Sequence, residues 1–348
     1  MTYVIAEIGQ NHNGNFEIAR SLIDKAKDSG ADAVKLTIRD IDNEMTADAE
    51  RQKYSSKNSY GRTYGSHRRR LELSLLNNVW ACNHAKKLNL DVVITFCSES
   101  LLSKPEVVSG ILPIASYIKV ASRDITNVLL LERLNDIEKP IILSSGLSDY
   151  YELGNAIKIL YKRNISILHC VSKYPTHAKD AYLSRITALR DRFNNMYMIG
   201  YSDHTVGYRA CVLSVMLGVS IIEKHITLDK KGKGSDHCCS LEPSEFKCMV
   251  NEIKECELLL GENRHIDNAI ITEGRDIKDK EINANRIKLM RSVCSGRNIE
   301  AGEELKKQDL CLLSPGDGIP GDKLTDIVGM LAFKDIPKHK TIDIGDLI

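Results

Sequence analysis

The amino-acid sequence predicts a (β/α)8 (TIM) barrel followed by a small, mostly β domain. Three observations carry this. Short apolar runs alternate with amphipathic helical patterns from the first residues onward, the mark of a parallel sheet built from β-then-α units. Nearly every apolar run ends on polar or charged residues, as where strand ends build a site on one face of a barrel. Beyond about residue 290 the alternation stops, and short runs between turns rich in glycine, proline and asparagine replace it.

The strand candidates, each too short to be a helix, are Tyr3–Ile8, Ala31–Leu36, Asp91–Thr95, Tyr117–Val120, Pro140–Ser144, Ile165–His169, Tyr197–Tyr201 and Val219–Lys224. Between them lie the amphipathic segments Phe16–Ser29, Leu71–Leu88, Leu129–Leu134, Tyr150–Tyr161, Ala181–Phe193 and Tyr208–Leu217, and a final helix runs from about Pro243 to Leu260. A doubly wound open sheet is the alternative architecture. No Gly-x-Gly-x-x-Gly follows the first strand, which argues against a dinucleotide fold. The expected organisation is a barrel at 1–262, a linker at 263–289 and the small domain at 290–348.

Residues 40–70 form a long polar stretch after the second strand, with Tyr54, Tyr60, Tyr64 and the run Arg68-Arg69-Arg70. On a barrel such an enlarged loop lies on the catalytic face; a solvated insertion is the other reading. The linker is polar and charged, with few large apolar clusters.

Composition narrows the function classes. A formal net charge of +1 points to neither nucleic acid nor a membrane surface as partner. No apolar stretch approaches the ~20 residues of a bilayer span, and the amino terminus shows no signal-peptide pattern. The ten cysteines contain no Cys-x-x-Cys pair and read as reduced thiols, so a cytoplasmic location is expected.

The strand ends carry the chemistry. They offer Glu7, then Asn11 and His12; Lys35 and Thr37; Thr95 and Ser98; Lys119, Ser122 and Asp124; Ser144 and Ser145; His169, Ser172 and Tyr174; Ser202, Asp203 and His204; and Glu223, Lys224 and His225. Any one of these could be an ordinary polar strand end. Together, two lysines with several hydroxyls suit a phosphorylated, carboxylated substrate.

His204 and His225 stand 21 residues apart, each after an apolar run, so two neighbouring parallel strands would aim both at one point. Each alone could equally be a structural hydrogen-bonding group. Two imidazoles underfill a metal shell, and no cysteine is suitably spaced for structural zinc. An open site completed by water and substrate oxygens suits a divalent ion: manganese first, with iron, cobalt or magnesium as alternatives. His67, His84, His177, His265 and His339 read as surface or structural groups.

Several of these stretches resemble the sialic acid synthase family. They are Ile5-Ala6-Glu7-Ile8-Gly9-x-Asn11-His12-x-Gly14, Lys119-Val120-Ala121-Ser122, Ser144-Ser145-Gly146, His169-Cys170-Val171-Ser172-x-Tyr174-Pro175-Thr176, Gly200-Tyr201-Ser202-Asp203-His204-Thr205, Glu223-Lys224-His225 and Asp236-His237-x-x-Ser240-Leu241-Glu242-Pro243. Arg291-Ser292-Val293 and Pro315-Gly316-x-Gly318 look like that family's antifreeze-like (SAF) domain, so the resemblance covers almost the whole chain in order. It implies a condensation of phosphoenolpyruvate with an open-chain N-acylated amino sugar such as N-acetylmannosamine, giving a nonulosonic acid and phosphate. By this resemblance Thr95, Lys119, Ser122, Ser144, Ser172 and Ser202 hold phosphoenolpyruvate, and His204 and His225 hold the metal. Glu7 and Asp124 handle protons or sugar hydroxyls, and Lys35, Thr37, Tyr174 and Asp236 lie on the sugar side, with Lys35 and Asp236 counted among the catalytic groups. It also implies a homodimer in which the small domain caps the partner's barrel.

The chain departs from the family at three places. Lys-x-Gln is usual at the end of strand two, where Lys35-Leu36-Thr37 stands here. The family's Arg-Pro-Gly, whose arginine reaches the sugar end of the partner's site, is Ser314-Pro315-Gly316. Thr95-Phe96-Cys97-Ser98 replaces a Ser/Thr-Pro-Phe. The first two changes lie at the sugar end, so a different or differently decorated acceptor is expected, of legionaminic or pseudaminic type among others. A non-catalytic sugar-binding relative is the competing class.

Overall fold

The structure is a computed structural model and describes residues 1–260 and 280–348. Eight parallel strands close into a barrel in chain order: β1 (Tyr3–Glu7), β2 (Ala33–Ile38), β3 (Asp91–Phe96), β4 (Tyr117–Val120), β5 (Ile141–Ser144), β6 (Ile165–Cys170), β7 (Met198–Asp203) and β8 (Ile221–His225), with β8 pairing back onto β1. The strand period of two divides every strand into an inner and an outer face. Ile5, Ala33, Val93, Ile142, Leu168 and Ile221 point inward and fill the lower barrel as one apolar cluster. The inward positions that follow them along the strands are polar: Glu7, Lys35, Thr95, Ser144 and Glu223. The outward residues, among them Val4, Ala6, Val34, Ile94, Leu143 and Ile222, join the large core beneath the helices.

That helical layer comprises α1 (Phe16–Asp28), α2 (Ala47–Arg51), α3 (Tyr64–Leu71), α4 (Leu75–Lys87), α5 (Val128–Asn135), α6 (Tyr150–Ile159), α7 (Arg185–Arg192), α8 (Arg209–Met216) and α9 (Pro243–Leu260). Asn15 and Ser74 cap α1 and α4 by accepting backbone N–H bonds, and such caps contribute ~1 kcal/mol each. Ser74 also explains a difference from the sequence expectation. In the segment Leu71–Leu88, Leu71 is the last residue of α3 and the expected helix starts only at Leu75, because Glu72 is extended and Ser74 caps a new helix. Likewise α7 begins later than expected, since Tyr182 takes a left-handed φ of 44°. The β3-to-β4 connection holds a 3-10 turn and a π-helical turn in place of an α-helix.

The expected linker 263–289 lies mostly outside the described residues, but its end is helical, as α10 (Lys280–Leu289). The small domain pairs β9 (Ser292–Ser295) antiparallel to β10 (Leu310–Leu313). Its core of Val293, Leu305, Leu312, Leu324 and Ile342 extends onto Val128 of α5.

One buried arginine joins the two domains. Arg291 donates to Asp124 Oδ1 at 2.7 Å, to the carbonyls of Leu312 at 3.0 Å and Glu44 at 3.3 Å, and to the carbonyl of Cys97. Arg291 is 2% exposed and Asp124 not at all. Burial opposes the charge on Arg291, but Asp124 outweighs it and raises the guanidinium pKa. Removing one partner of such a pair strands the other, which typically costs ~3–5 kcal/mol. Arg291→Met is therefore expected to lower stability by about that amount in urea unfolding, with part recovered in the double variant carrying Asp124→Asn. An unchanged unfolding midpoint would show that the domains do not rely on this contact.

Candidate active site

The barrel's carboxyl-end mouth opens into a cavity of about 380 Å³. Its floor is a chain of alternating charges. Lys35 pairs with Glu7 and lies 3.8 Å from Glu223, while Lys119 donates to both Glu223 oxygens at 2.8 Å. Ser202 Oγ donates to the same carboxylate at 2.9 Å. Burial alone would raise the Glu223 pKa, but Lys119 and Lys35 hold it well below the usual carboxylate range. Burial pushes Lys35 down to about 8, against the opposing pull of Glu223. Hydroxyls surround these charges: Ser122 and Ser172 stand 3.1 Å apart, Ser144 ends β5, and Thr95 Oγ1 is buried with no hydrogen-bond partner among the described residues.

Gly9 turns the chain away after β1 at a φ of +51°. A Cβ there would lie 2.7 Å from Glu7 Oε1 and 3.3 Å from His225 Cε1, so only glycine lets the backbone pass the carboxylate.

Two residues beyond Ser202 and Glu223, with His225 beside Glu7 across the β1–β8 ladder, stand the two imidazoles, their ring centroids 5.4 Å apart. His204 Nδ1 faces the Val171 carbonyl at 2.8 Å, so that nitrogen carries a proton, and against the effect of burial Cys170 and this bond raise the ring's pKa. Burial pushes His225 down to about 3, so its ring is neutral near pH 7. Its Nδ1 is buried without a hydrogen-bond partner among the described residues. A neutral His225 and a His204 whose Nδ1 proton is fixed, leaving Nε2 as the nitrogen for a metal, are a donor set that fits a divalent ion. Among the described residues no group of three or more His, Cys, Asp or Glu side chains forms a metal-holding cluster. Any ion on these two rings would therefore keep positions for water and substrate. The Tyr174 ring lies 4.2 Å from His204, and Asp236, lining the same side, has its carboxyl held low by His225 and Ser235 against the effect of burial.

Glu7, Lys35, Thr37, Thr95, Lys119, Ser122, Ser144, Ser172, Tyr174, Ser202, His204, His225 and Asp236 thus line one cavity. Asp124 does not. Both its oxygens face arginines, Oδ1 toward Arg291 between the domains and Oδ2 toward Arg123 of the cavity wall at 3.4 Å, which removes it from proton handling. Ser314 is also outside the cavity: its N–H donates to the Glu44 carbonyl and its Oγ to that of Leu289. His67 reverses its expected role, lining the cavity and stacking on Tyr54 at 4.5 Å. His84 bonds Asp24 at 2.6 Å, and His265 lies outside the described residues. Sequence reasoning missed Arg39 and named Glu223 as a strand end without giving it a role in the site. Strand parity would have found both, since each sits two residues from an inward neighbour.

Parity also separates the strand ends that do not reach the cavity. Asp203 and Lys224 are outward and fully buried under the helices. Lys224 Nζ donates to Asp203 Oδ2 and to the Thr205 carbonyl, each at 2.6 Å. Asp203 also accepts from the Thr205 N–H and the Tyr201 hydroxyl, which fixes the turn carrying His204.

A closed parallel barrel with buried charges and hydroxyls gathered at its carboxyl-end mouth defines an enzyme of the barrel class. More particularly, the chain belongs to the NeuB family, whose model matches residues 22–265, and a SAF domain matches residues 291–348. It is 34% identical to N-acetylneuraminate-9-phosphate synthase of Drosophila melanogaster, over 98% of this chain and 94% of that one. It is 33% identical to N,N'-diacetyllegionaminic acid synthase of Legionella pneumophila, over 94% of this chain and 89% of that one. The crystal structure of the spore coat polysaccharide biosynthesis protein spsE of Bacillus subtilis superposes with a TM-score of 0.77 at 27% identity, covering 100% of this chain and 95% of that one.

Lys224→Met would leave the Asp203 carboxylate buried and unpaired, at a cost of ~3–5 kcal/mol. Thermal unfolding is expected to show a large loss for this variant. A melting temperature equal to that of the unaltered protein would contradict the assignment of the pair as the scaffold of His204.

Proposed function

We propose that this protein condenses phosphoenolpyruvate with the open-chain form of an N-acylated amino sugar, giving a nonulosonic acid and inorganic phosphate. The observation that carries the reading is the division of one cavity into two halves. Lysines and hydroxyls line the floor, and two imidazoles with Tyr174 and Asp236 stand above it at the ends of β7 and β8. The names of the fly and Legionella relatives support an acceptor of the N-acylated amino-sugar class.

Lys35 and Lys119, with Thr95, Ser122, Ser144, Ser172 and Ser202, hold the carboxylate and phosphate of phosphoenolpyruvate. The incoming anion competes with Glu223 for both lysines, so the site is neutralised before substrate arrives. His204 and His225 would hold a divalent ion, manganese by preference over magnesium or cobalt, whose chemistry here is Lewis-acid polarisation of the sugar aldehyde. Tyr174 and Asp236 orient the sugar, and Thr37 meets it from β2. The methylene carbon (C3) of phosphoenolpyruvate forms the new C–C bond to the aldehyde carbon, whose C=O π pair passes to its oxygen with a proton. Water then adds to the cationic C2, the carbon bearing the phosphate, and loses a proton, and the tetrahedral adduct expels phosphate as its C2–O bond breaks. Glu7, ion-paired to Lys35, moves the protons these steps require.

We further propose that two copies exchange their small domains. Ser314, Arg291 and the β9–β10 core form the seat described above, and the same contacts could be made by the equivalent domain of a second copy. Ten cysteines with no Cys-x-x-Cys pair support a reducing, cytoplasmic setting, and among the described residues no helix is long and apolar enough to cross a membrane.

The test is phosphate release from phosphoenolpyruvate with a panel of 2-acetamido and 2,4-diacetamido hexoses, with and without manganese. Turnover is expected to need both sugar and metal, and His204→Ala or His225→Ala to lower kcat/KM by roughly 10²–10³-fold, the usual loss for one positioned polar group. No phosphate release with any sugar would refute the reading. Lys35 sets a pH limit. It is charged below its pKa of about 8 and neutral above it, so the KM for phosphoenolpyruvate should rise as pH passes 8. A KM flat from pH 7 to ~9.5 would exclude Lys35 as an anion-binding cation.

A further inference from the structure

We propose that Cys238 and Cys239 form an oxidative modification site: a hydroperoxide oxidises the exposed Cys238, Cys239 closes it to a disulfide, and the closure displaces Asp236 from the cavity. The effect on turnover rests on the acceptor reading above, whereas the site itself does not. These are the only two cysteines adjacent in the chain, and the proposed reaction uses neither. They end a 3-10 turn, His237–Cys239, whose N-cap is Asp236. The turn thus presents Asp236 to the cavity, leaves Cys238 exposed and buries Cys239.

The two sulfurs are in contact. The Cys239 thiol hydrogen-bonds Cys238 and, against burial and the charge of Asp236, holds the Cys238 pKa down to about 6. The same bond raises the Cys239 pKa, so Cys239 keeps its proton. A solvent-facing thiolate with a second thiol beside it is the arrangement oxidants select. The Cys238 thiolate attacks one peroxide oxygen: an S–O bond forms, the O–O bond breaks, and the departing alkoxide takes a proton from water. Sulfur loses two electrons and the peroxide gains them. Cys239 then attacks the sulfenic sulfur, the S–S bond forms, the S–O bond breaks, and the hydroxyl leaves as water with the Cys239 proton.

The disulfide and the turn exclude each other. Adjacent Cα atoms stand ~3.8 Å apart across a trans peptide, short of the ~4.4–6.8 Å that a disulfide usually spans. Closing the bond therefore requires the turn to open. The turn is fastened at the Asp236 carbonyl, which accepts from the Cys239 N–H at 3.2 Å and the Ser240 hydroxyl at 2.6 Å, with Cys239 Sγ also 3.2 Å away. Opening it breaks these bonds at the residue whose carboxylate lines the cavity. The floor of lysines and hydroxyls takes no part in the turn, so oxidation acts on the acceptor half alone.

The experiment treats the full chain with equimolar hydrogen peroxide at neutral pH and reads the cysteines by mass spectrometry of tryptic peptides. Residues 234–247 carry both cysteines on one peptide, and the next begins with Cys248, a second exposed thiol that serves as the internal reference. Cys238 is expected to react at least ~10-fold faster than Cys248, and its peptide to lose two hydrogens that a dithiol restores. Cys239→Ser should stop at a sulfenic acid trapped by dimedone, and Cys238→Ser should leave the peptide unoxidised. Oxidation should raise the acceptor KM roughly 10- to 100-fold, the range of one lost charged contact, reversibly and without change in phosphoenolpyruvate affinity, and should have no effect on Cys238→Ser. Equal rates at Cys238 and Cys248, or no disulfide in the unaltered chain, overturns the site. A disulfide with an unaltered acceptor KM overturns the coupling to Asp236. A disulfide in a protein that releases no phosphate even when reduced would instead refute the reaction and leave the modification site standing.

Discussion

Inside a closed barrel a charge has no route to solvent except the mouth, so every inward ion must find its counter-ion on a neighbouring strand. The sequence of contacts Glu7–Lys35–Glu223–Lys119 meets that demand. Glu7 and Lys35 are aligned across the β1–β2 ladder, whereas Lys119 and Glu223 meet across the barrel from β4 and β8. Each carboxylate offsets a lysine that burial would otherwise discharge. The same contacts hold two lysines within one small space, where they can act together on a small dianion.

The outer layers follow the same rule. Asp203 with Lys224 under the helices, and Asp124 with Arg291 between the domains, are each shielded from water and each ties down a functional segment. The first carries the turn that presents His204. The second seats the small domain, which brings α10 with Asn285 and Lys288 over the cavity. The mouth of the active site is thereby coupled to a single buried ion pair outside it.

Much of the site was legible because strand order and parity survive folding. Once eight strands were assigned, residues such as Lys35, Lys119 and His225 had to lie at one end of a barrel. Asp124 failed for a reason invisible along the chain: its partner, Arg291, lies 167 positions away in another domain. His67 failed similarly, because a helix within the polar insertion folds back over the mouth and stacks it on Tyr54. The break at Ser74 was legible as a cap signal and was overridden by apolar periodicity on either side.

The sequence by itself determined the barrel, the small domain and the pairing of cationic floor with imidazole wall, because these follow from local period and residue type. Tertiary structure alone decided which polar residues face the cavity, which pair outside it, and that Arg39, Arg68 and Lys288 line the same cavity as the strand ends. Those outcomes depend on long-range juxtaposition of strand end, insertion helix and the helix before the small domain, and no spacing along the chain encodes a distance in space.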